Sequence, residues 1–470
     1  KLDKKFMFDT SKLEINEAPK KKNKWIIGLV MSCAIVPLVI ISIPFFAMME
    51  FKSSFSLTQK RYTLAEYENI NNGSFKSLNE VNYPSPETKR LPISNDYLNA
   101  VNDFSYSIFS NIENRENNFA FSPLSLYYLL NVVSLTTNNS LIEEELDNVL
   151  GLDSQNRYSN MINTYKNNFF CNDKGTIQFY NSVFLSNKYN YNQEYIDELT
   201  KNYVEVFQLD FKKNQDLKKM LDWIDKKVNQ KDFLKLNDLE ITDLTLIYFF
   251  STFYFNNRWS KPYSSKNNFS GDFFLSENNK VQTTYMNHEY YGKVMDYGDF
   301  IGCYDYYQNN TKIQYFVPKN NQKNIFSLTK SFDFFNQKYL DSDQEIKCYD
   351  DIIVDLTLPK FETTSQIDFS KTLKSLGLVN LFNKDVPSLN YAFNNLPEDT
   401  AVYLNQVKQK NLISFSEDGT TIRTVSYGAG NAAAAPMDVI EVKLNQPFVY
   451  IIYDVNDVPL FMGTLDNPTI

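Results

Sequence analysis

Histidine is nearly absent: one, His288, in 470 residues. A histidine-rich metal site is therefore impossible, and no HExxH zinc helix occurs. Any Ser-His-Asp or Cys-His enzyme would have to recruit His288, in "YMNHEYYG". That polar, aromatic stretch reads as surface, with a solvated structural histidine. The four cysteines, Cys33, Cys171, Cys303 and Cys348, show no CxxC spacing, and one bridge among the last three stays open. An excess of basic charge is also missing. The formal charge of −9 lacks the footprint of a nucleic-acid binder. There is no P-loop and no GxSxG elbow. Gly428-Ala-Gly430-Asn-Ala-Ala433 fits a dinucleotide fingerprint, but Pro436 would stop any following helix within one turn. No cofactor or metal is expected.

What the chain does hold is apolar mass. Hydrophobic residues make up 43% and aromatics 16%, ample for a large buried core. Trp25–Met49, "WIIGLVMSCAIVPLVIISIPFFAMM", carries no charge and is long enough to cross a ~30 Å hydrocarbon layer. Lys20, Lys21, Lys22 and Lys24 flank its amino-terminal side. The positive-inside rule makes this a signal anchor of a single-pass type II membrane protein. Residues 1–24 form a cytosolic tail, 25–49 the membrane span, and the remainder lies in the lumen or outside. Sequons at Asn72, Asn138, Asn268 and Asn309 fit a lumenal glycoprotein. Residues 50–92 lack sustained periodicity and read as a stalk; 93–470 reads as one domain.

Within that domain, Leu98, Val101, Phe104 and Ile108 share a helical stripe. Ser122 and Pro123 open a further helix as cap and first residue. Ser140 to Glu143 reads as a capping box, and Gly151 and Gly377 as helix stops. "DLTLIYFFSTFYF" reads as a buried strand, and the last sixty or so residues are mostly strand. The class is α+β, with large, mainly antiparallel sheets.

One stretch resists that pattern. "EDGTTIRTVSYGAGNAAAAPMD", Glu417–Asp438, separates two strand-like segments where a turn of two to five residues would serve. Alternation along it puts Thr420, Ile422, Thr424, Ser426 and Gly428 on one side, all uncharged, and Arg423 on the other. No proline precedes Pro436, so every N–H up to Ala435 could join a sheet. A domain of this size is roughly 55 Å across, and fifteen to seventeen extended residues reach about 50–55 Å.

Four segments in order resemble the serpins. These are "NNFAFSPLSLYYLLNVVSLTTNNSLIEEELDNVLGL", "FYFNNRWSKPY", "VDLTLPKFETTSQIDFSKTLKSLGLVNLF" and "NQPFVYIIYDVNDVPLFMGTLDNP". The second is similar to the family's FKGKW-x-x-PF signature, with Trp259 and Pro262 kept. The resemblance implies an exposed reactive-centre loop that inserts as a strand once cut. It makes the protein an inhibitor of serine proteases rather than an enzyme, with a monomeric domain. The alternative is a non-inhibitory serpin acting as a binding or chaperone protein. Glu417, Gly419 and Thr420 match the loop hinge, and Ile422, Thr424 and Ser426 fall on the inserting face. The family's count from Glu417 places the reactive bond at Ala433–Ala434, within a window from Asn431 to Ala435. Alanine there suits an elastase- or subtilisin-like partner with a small primary pocket. Ser122, Ser125, Ser251 and Gln409 correspond to the polar cluster beneath the central sheet. Ser251 and Gln409 stand where the family has Asn and His.

Overall fold

The computed structural model describes residues 74–469, apart from 86–89, 113–117, 229, 243, 299, 320–346 and 421–437. All described residues fall in the unit Leu57–Ile470; the other unit, Lys1–Ser56, lies outside them.

Alternating and continuous apolar runs build two large sheets. The eight-stranded sheet runs Lys76–Ser77, Val204–Leu209, Gly175–Ser186, Ile247–Arg258, Gly419–Thr420, Lys408–Ser416, Phe361–Asp368, with Phe170–Asn172 on its third strand. All its pairs are antiparallel except Gly175–Ser186 with Val204–Leu209. The nine-stranded sheet begins Val439–Lys443, Lys347–Pro359, Asn279–Asp296 and ends Phe448–Tyr453, Pro459–Leu465, Phe119–Phe121. Helix Pro123–Ser134 packs against Ile247–Arg258 of the first sheet and Pro459–Leu465 of the second. That position explains why it is buried nearly all round. On its far face the eight-stranded sheet carries helix Asn214–Val228 over a separate cluster of Phe184, Phe207, Trp223 and Phe250. The α+β class holds.

Local punctuation follows the sequence closely. Ser94 caps helix Asn95–Asn111, whose Val101, Phe104 and Ile108 are buried. Ser122 caps Pro123–Ser134. Gly151 ends its helix in the left-handed conformation at φ 72°, and Gly377 ends its helix at a positive φ of 124°. The cap of Ser140–Leu150 is Asn139, one residue before the expected Ser140, because the Asn139 side chain accepts from Leu141 N–H.

Three expectations are corrected. The type II membrane localisation is not supported: among the described residues no helix is long and apolar enough to cross a membrane. The longest described helix, Asn95–Asn111, has 17 residues, and a span needs about 20 mostly apolar ones. The segment 25–49 itself lies outside the described residues. Second, the described part of the expected stalk is ordered. Lys76–Ser77 adds an edge strand to Val204–Leu209, and Phe75 is buried against Phe184 and Phe207. The Asn79 amide donates to Thr200 Oγ1 and Val204 O, and Tyr83 stacks on Phe169 at 5.2 Å. Two aromatic anchors, Phe75 and Tyr83, and the Asn79 amide hold the segment without any periodicity. Third, His288 is buried, not solvated. Cys171, Cys303 and Cys348 are free thiols.

Candidate functional site

The two ends of the long connection belong to different sheets. Gly419–Thr420 is a strand of the eight-stranded sheet, and Val439–Lys443 is the edge of the nine-stranded one. No hairpin can join them. Residues 421–437 lie outside the described residues, and with them Ile422, Thr424, Ser426, Ala433 and Ala434. The structure describes the loop's base and the sheet beside it.

At the base, the chain is held by its backbone. Trp259 Nε1 donates to Ser416 O at 2.8 Å, Tyr263 N to Glu417 O at 3.0 Å and Trp259 N to Asp418 O at 3.1 Å. The Glu417 carboxylate accepts from Lys360 Nζ at 2.9 Å and Asn268 Nδ2 at 2.5 Å. Burial pushes this carboxyl up, but the bonds from Asn268 and Lys360 outweigh it and hold it below its ordinary value of 4.5. Its contribution to stability is therefore complete above about pH 4.5 and lost as pH falls through the lower native value. Glu417→Gln should flatten that part of the acid-unfolding curve; an unchanged profile would exclude the hinge carboxylate as its source.

Gly419 passes so close to its neighbour that a Cβ would lie 2.0 Å from Asn257 O. Only glycine fits there. Thr420 is fully buried, and its hydroxyl meets Tyr307 OH at 2.7 Å. Trp259 stacks on Tyr307 at 4.6 Å and 12°. The hinge residues named from sequence thus sit together. Trp259 and Tyr263 lie in the signature segment quoted from the sequence, Asn268 was noted there only as a sequon, and Tyr307 carried no signal.

Below this point the eight-stranded sheet is split. Ile247–Arg258 and Lys408–Ser416 pair with the two residues Gly419 and Thr420, and among the described residues not with each other. A cavity of about 660 Å³ runs between them, with Leu126 and Leu129 on one side and Phe233 and Leu239 on the other. The strand expected as fully buried is therefore half-buried over much of its length, from Ile247 to Ser251. One of its edges faces this slot, and the two-residue strand Gly419–Thr420 occupies its top.

Beneath the slot the four polar residues named from sequence do meet. Ser122 N donates to Gln409 Oε1 at 2.8 Å, and Gln409 Nε2 returns a bond to Ser122 O at 3.1 Å. Ser125 and Ser251 hydroxyls lie 2.8 Å apart. Helix Pro123–Ser134 and its cap are thus bonded to the strands on both sides of the slot, one bond set per strand. Asn411, which donates to Gln409 Oε1 at 3.0 Å, completes the cluster and was not singled out by sequence. Glutamine supplies both a donor and an acceptor at this point, as a neutral imidazole would.

Comparison with known proteins agrees with this geometry. A family model described as "Serpin (serine protease inhibitor)" matches residues 99–468. Human neuroserpin is 22% identical over 398 residues, covering 78% of this chain and 91% of neuroserpin. The structure of the thermophilic serpin tengpin in its native state superposes with a TM-score of 0.69 at 21% identity, covering 82% of this chain and 97% of tengpin. Thyroxine-binding globulin complexed with thyroxine superposes at 0.63 and 19% identity, covering 79% of this chain and 99% of the globulin.

Proposed function

The chain belongs to the serpin family, and from that premise we propose that it is a suicide inhibitor of serine proteases that acts by loop cleavage and insertion. The observation that carries this reading is the slot continuing below Gly419–Thr420. These residues pair as Gly419↔Arg258 and Thr420↔Asn257 on one side, and as Thr420↔Phe415 and Gly419↔Ser416 on the other. Extending both registers, which is arithmetic, sets Ile422 between Phe255 and Ile413. Thr424 then falls between Phe253 and Asn411, and Ser426 between Ser251 and Gln409. Directly opposed residues of antiparallel strands share a face. Phe255, Ile413 and Asn411 are buried, so the uncharged set of the loop meets the core, and Arg423 faces away. The uncharged alternation of the loop, read from its sequence, suits the buried residues that line the slot.

In this mechanism the protease serine attacks the Ala433 carbonyl, forms an ester with Ala433 and releases the Ala434 amine. The cut frees residues 421–433 to continue the strand that Gly419 and Thr420 begin. The esterified protease is carried along with the inserting end. Alanine at the reactive bond fits a protease with a small primary pocket, elastase- or subtilisin-like; a trypsin-like pocket needs a cation, and the loop's one basic residue, Arg423, lies near the hinge.

The test is to mix the protein with elastase-, subtilisin- and trypsin-like proteases and look for a detergent-resistant complex. A complex with either of the first two and none with the third is expected. Cleavage without any complex would favour a non-inhibitory serpin that binds a ligand.

A further inference from the structure

His288 is buried beside Asp305, a buried carboxylate on the neighbouring strand. Its Nδ1 lies 3.0 Å from Lys261 O, and its Nε2 lies 3.1 Å from Asp305 Oδ2. The ring stacks on Tyr263 at 3.8 Å and 19°. Tyr263 OH donates to the same Asp305 oxygen at 3.0 Å, while Asp305 Oδ1 accepts from Tyr306 N–H at 2.7 Å. A carbonyl oxygen can only accept, so Nδ1 carries a hydrogen. Nε2 faces Oδ2 of the buried Asp305 carboxylate on the other side of the ring. The side-chain hydrogen bonds of this pair run to the segment 259–263 and to the strand end at 305–306. That segment is the one whose Tyr263 and Trp259 amides hold the carbonyls of Glu417 and Asp418.

We infer that His288 and Asp305 are positioning residues for the loop hinge: they fix segment 259–263 so that Gly419 and Thr420 stand ready as the first rung of the inserting strand. The inference rests on the insertion reading proposed above. A strand that must enter a sheet adds its later residues in register only if the first pairs are already placed, so loosening them slows entry. An inhibitor whose loop enters slowly is hydrolysed and released before the protease is trapped.

The variant to make is His288→Phe, which keeps a ring against Tyr263 and removes both polar contacts. Two readouts follow. Hydrogen exchange at the Trp259 and Tyr263 amides should quicken about tenfold or more, with no change in helix Pro123–Ser134. The ratio of cleaved, released inhibitor to trapped complex should rise about threefold or more. His288→Gln, whose amide can still donate to Asp305, should return most of both effects. In His288→Phe/Asp305→Asn the effect should be smaller than with His288→Phe alone, because no unpaired buried charge remains. Unchanged exchange at Trp259 and Tyr263 in His288→Phe would overturn the positioning role. Faster exchange with an unaltered ratio would overturn its link to insertion. If the wild-type protein traps no protease, the inhibitor reading fails, and the exchange experiment still decides the role of the pair.

Discussion

Cutting the loop between Ala433 and Ala434 is expected to raise the melting temperature by about 15 °C, where nicking an ordinary surface loop lowers it or leaves it alone. Each residue entering a central strand makes ladder bonds to two neighbours, worth ~1 kcal/mol each. Ordering it costs about as much as one of them. A dozen residues therefore gain ~12 kcal/mol, and Ile422 adds apolar burial. Unfolding entropy of ~2.1 cal/mol/K per residue, over roughly 370 residues, is ~0.8 kcal/mol/K. The ratio gives the shift. Thr420→Arg should abolish it, because Thr420 is fully buried against Tyr307 and a guanidinium has no partner there. That variant should still be cleaved, while gaining neither stability nor a covalent complex. Calorimetry before and after limited proteolysis measures both; a cut wild-type protein that melts no higher than the uncut one would sink the insertion mechanism.

Trp259→Ala should be the most damaging single substitution at the hinge, at about 3–5 kcal/mol. The indole is fully buried, stacked on Tyr307 and close to Phe415. Its removal leaves a cavity and strips Ser416 O of its Nε1 donor. Trp259→Phe refills part of the space but not the bond, so about 1–3 kcal/mol should remain lost. Urea midpoints of the three proteins give the comparison. A loss below ~1 kcal/mol for alanine would show that the hinge is held by its backbone bonds alone.

These two experiments probe the two kinds of information in the chain. The expectation of a long, insertable loop rests on local signals. Its length, its uncharged alternate positions and the absence of proline before Pro436 are read from consecutive residues. The helix cap at Ser122 and the stops at Gly151 and Gly377 are equally local, set by hydrogen bonds within a few residues. The four residues of the polar cluster, Ser122, Ser125, Ser251 and Gln409, came from resemblance, and the structure brings them within hydrogen-bond reach.

By itself, then, the sequence determined the α+β class and several helix ends, those at Ser122, Gly151 and Gly377 among them. Tertiary structure decided whatever depends on partners far apart in the chain. It turned His288 from an expected surface residue into a buried neighbour of Asp305. It made part of the expected stalk an edge strand, through Phe75 and Asn79 meeting residues more than a hundred positions away. It also left Ile247–Arg258 and Lys408–Ser416 unpaired with each other among the described residues, with a cavity between them. A run of apolar residues states that a strand wants burial, but which edge goes unpaired depends on where the rest of the chain has been placed.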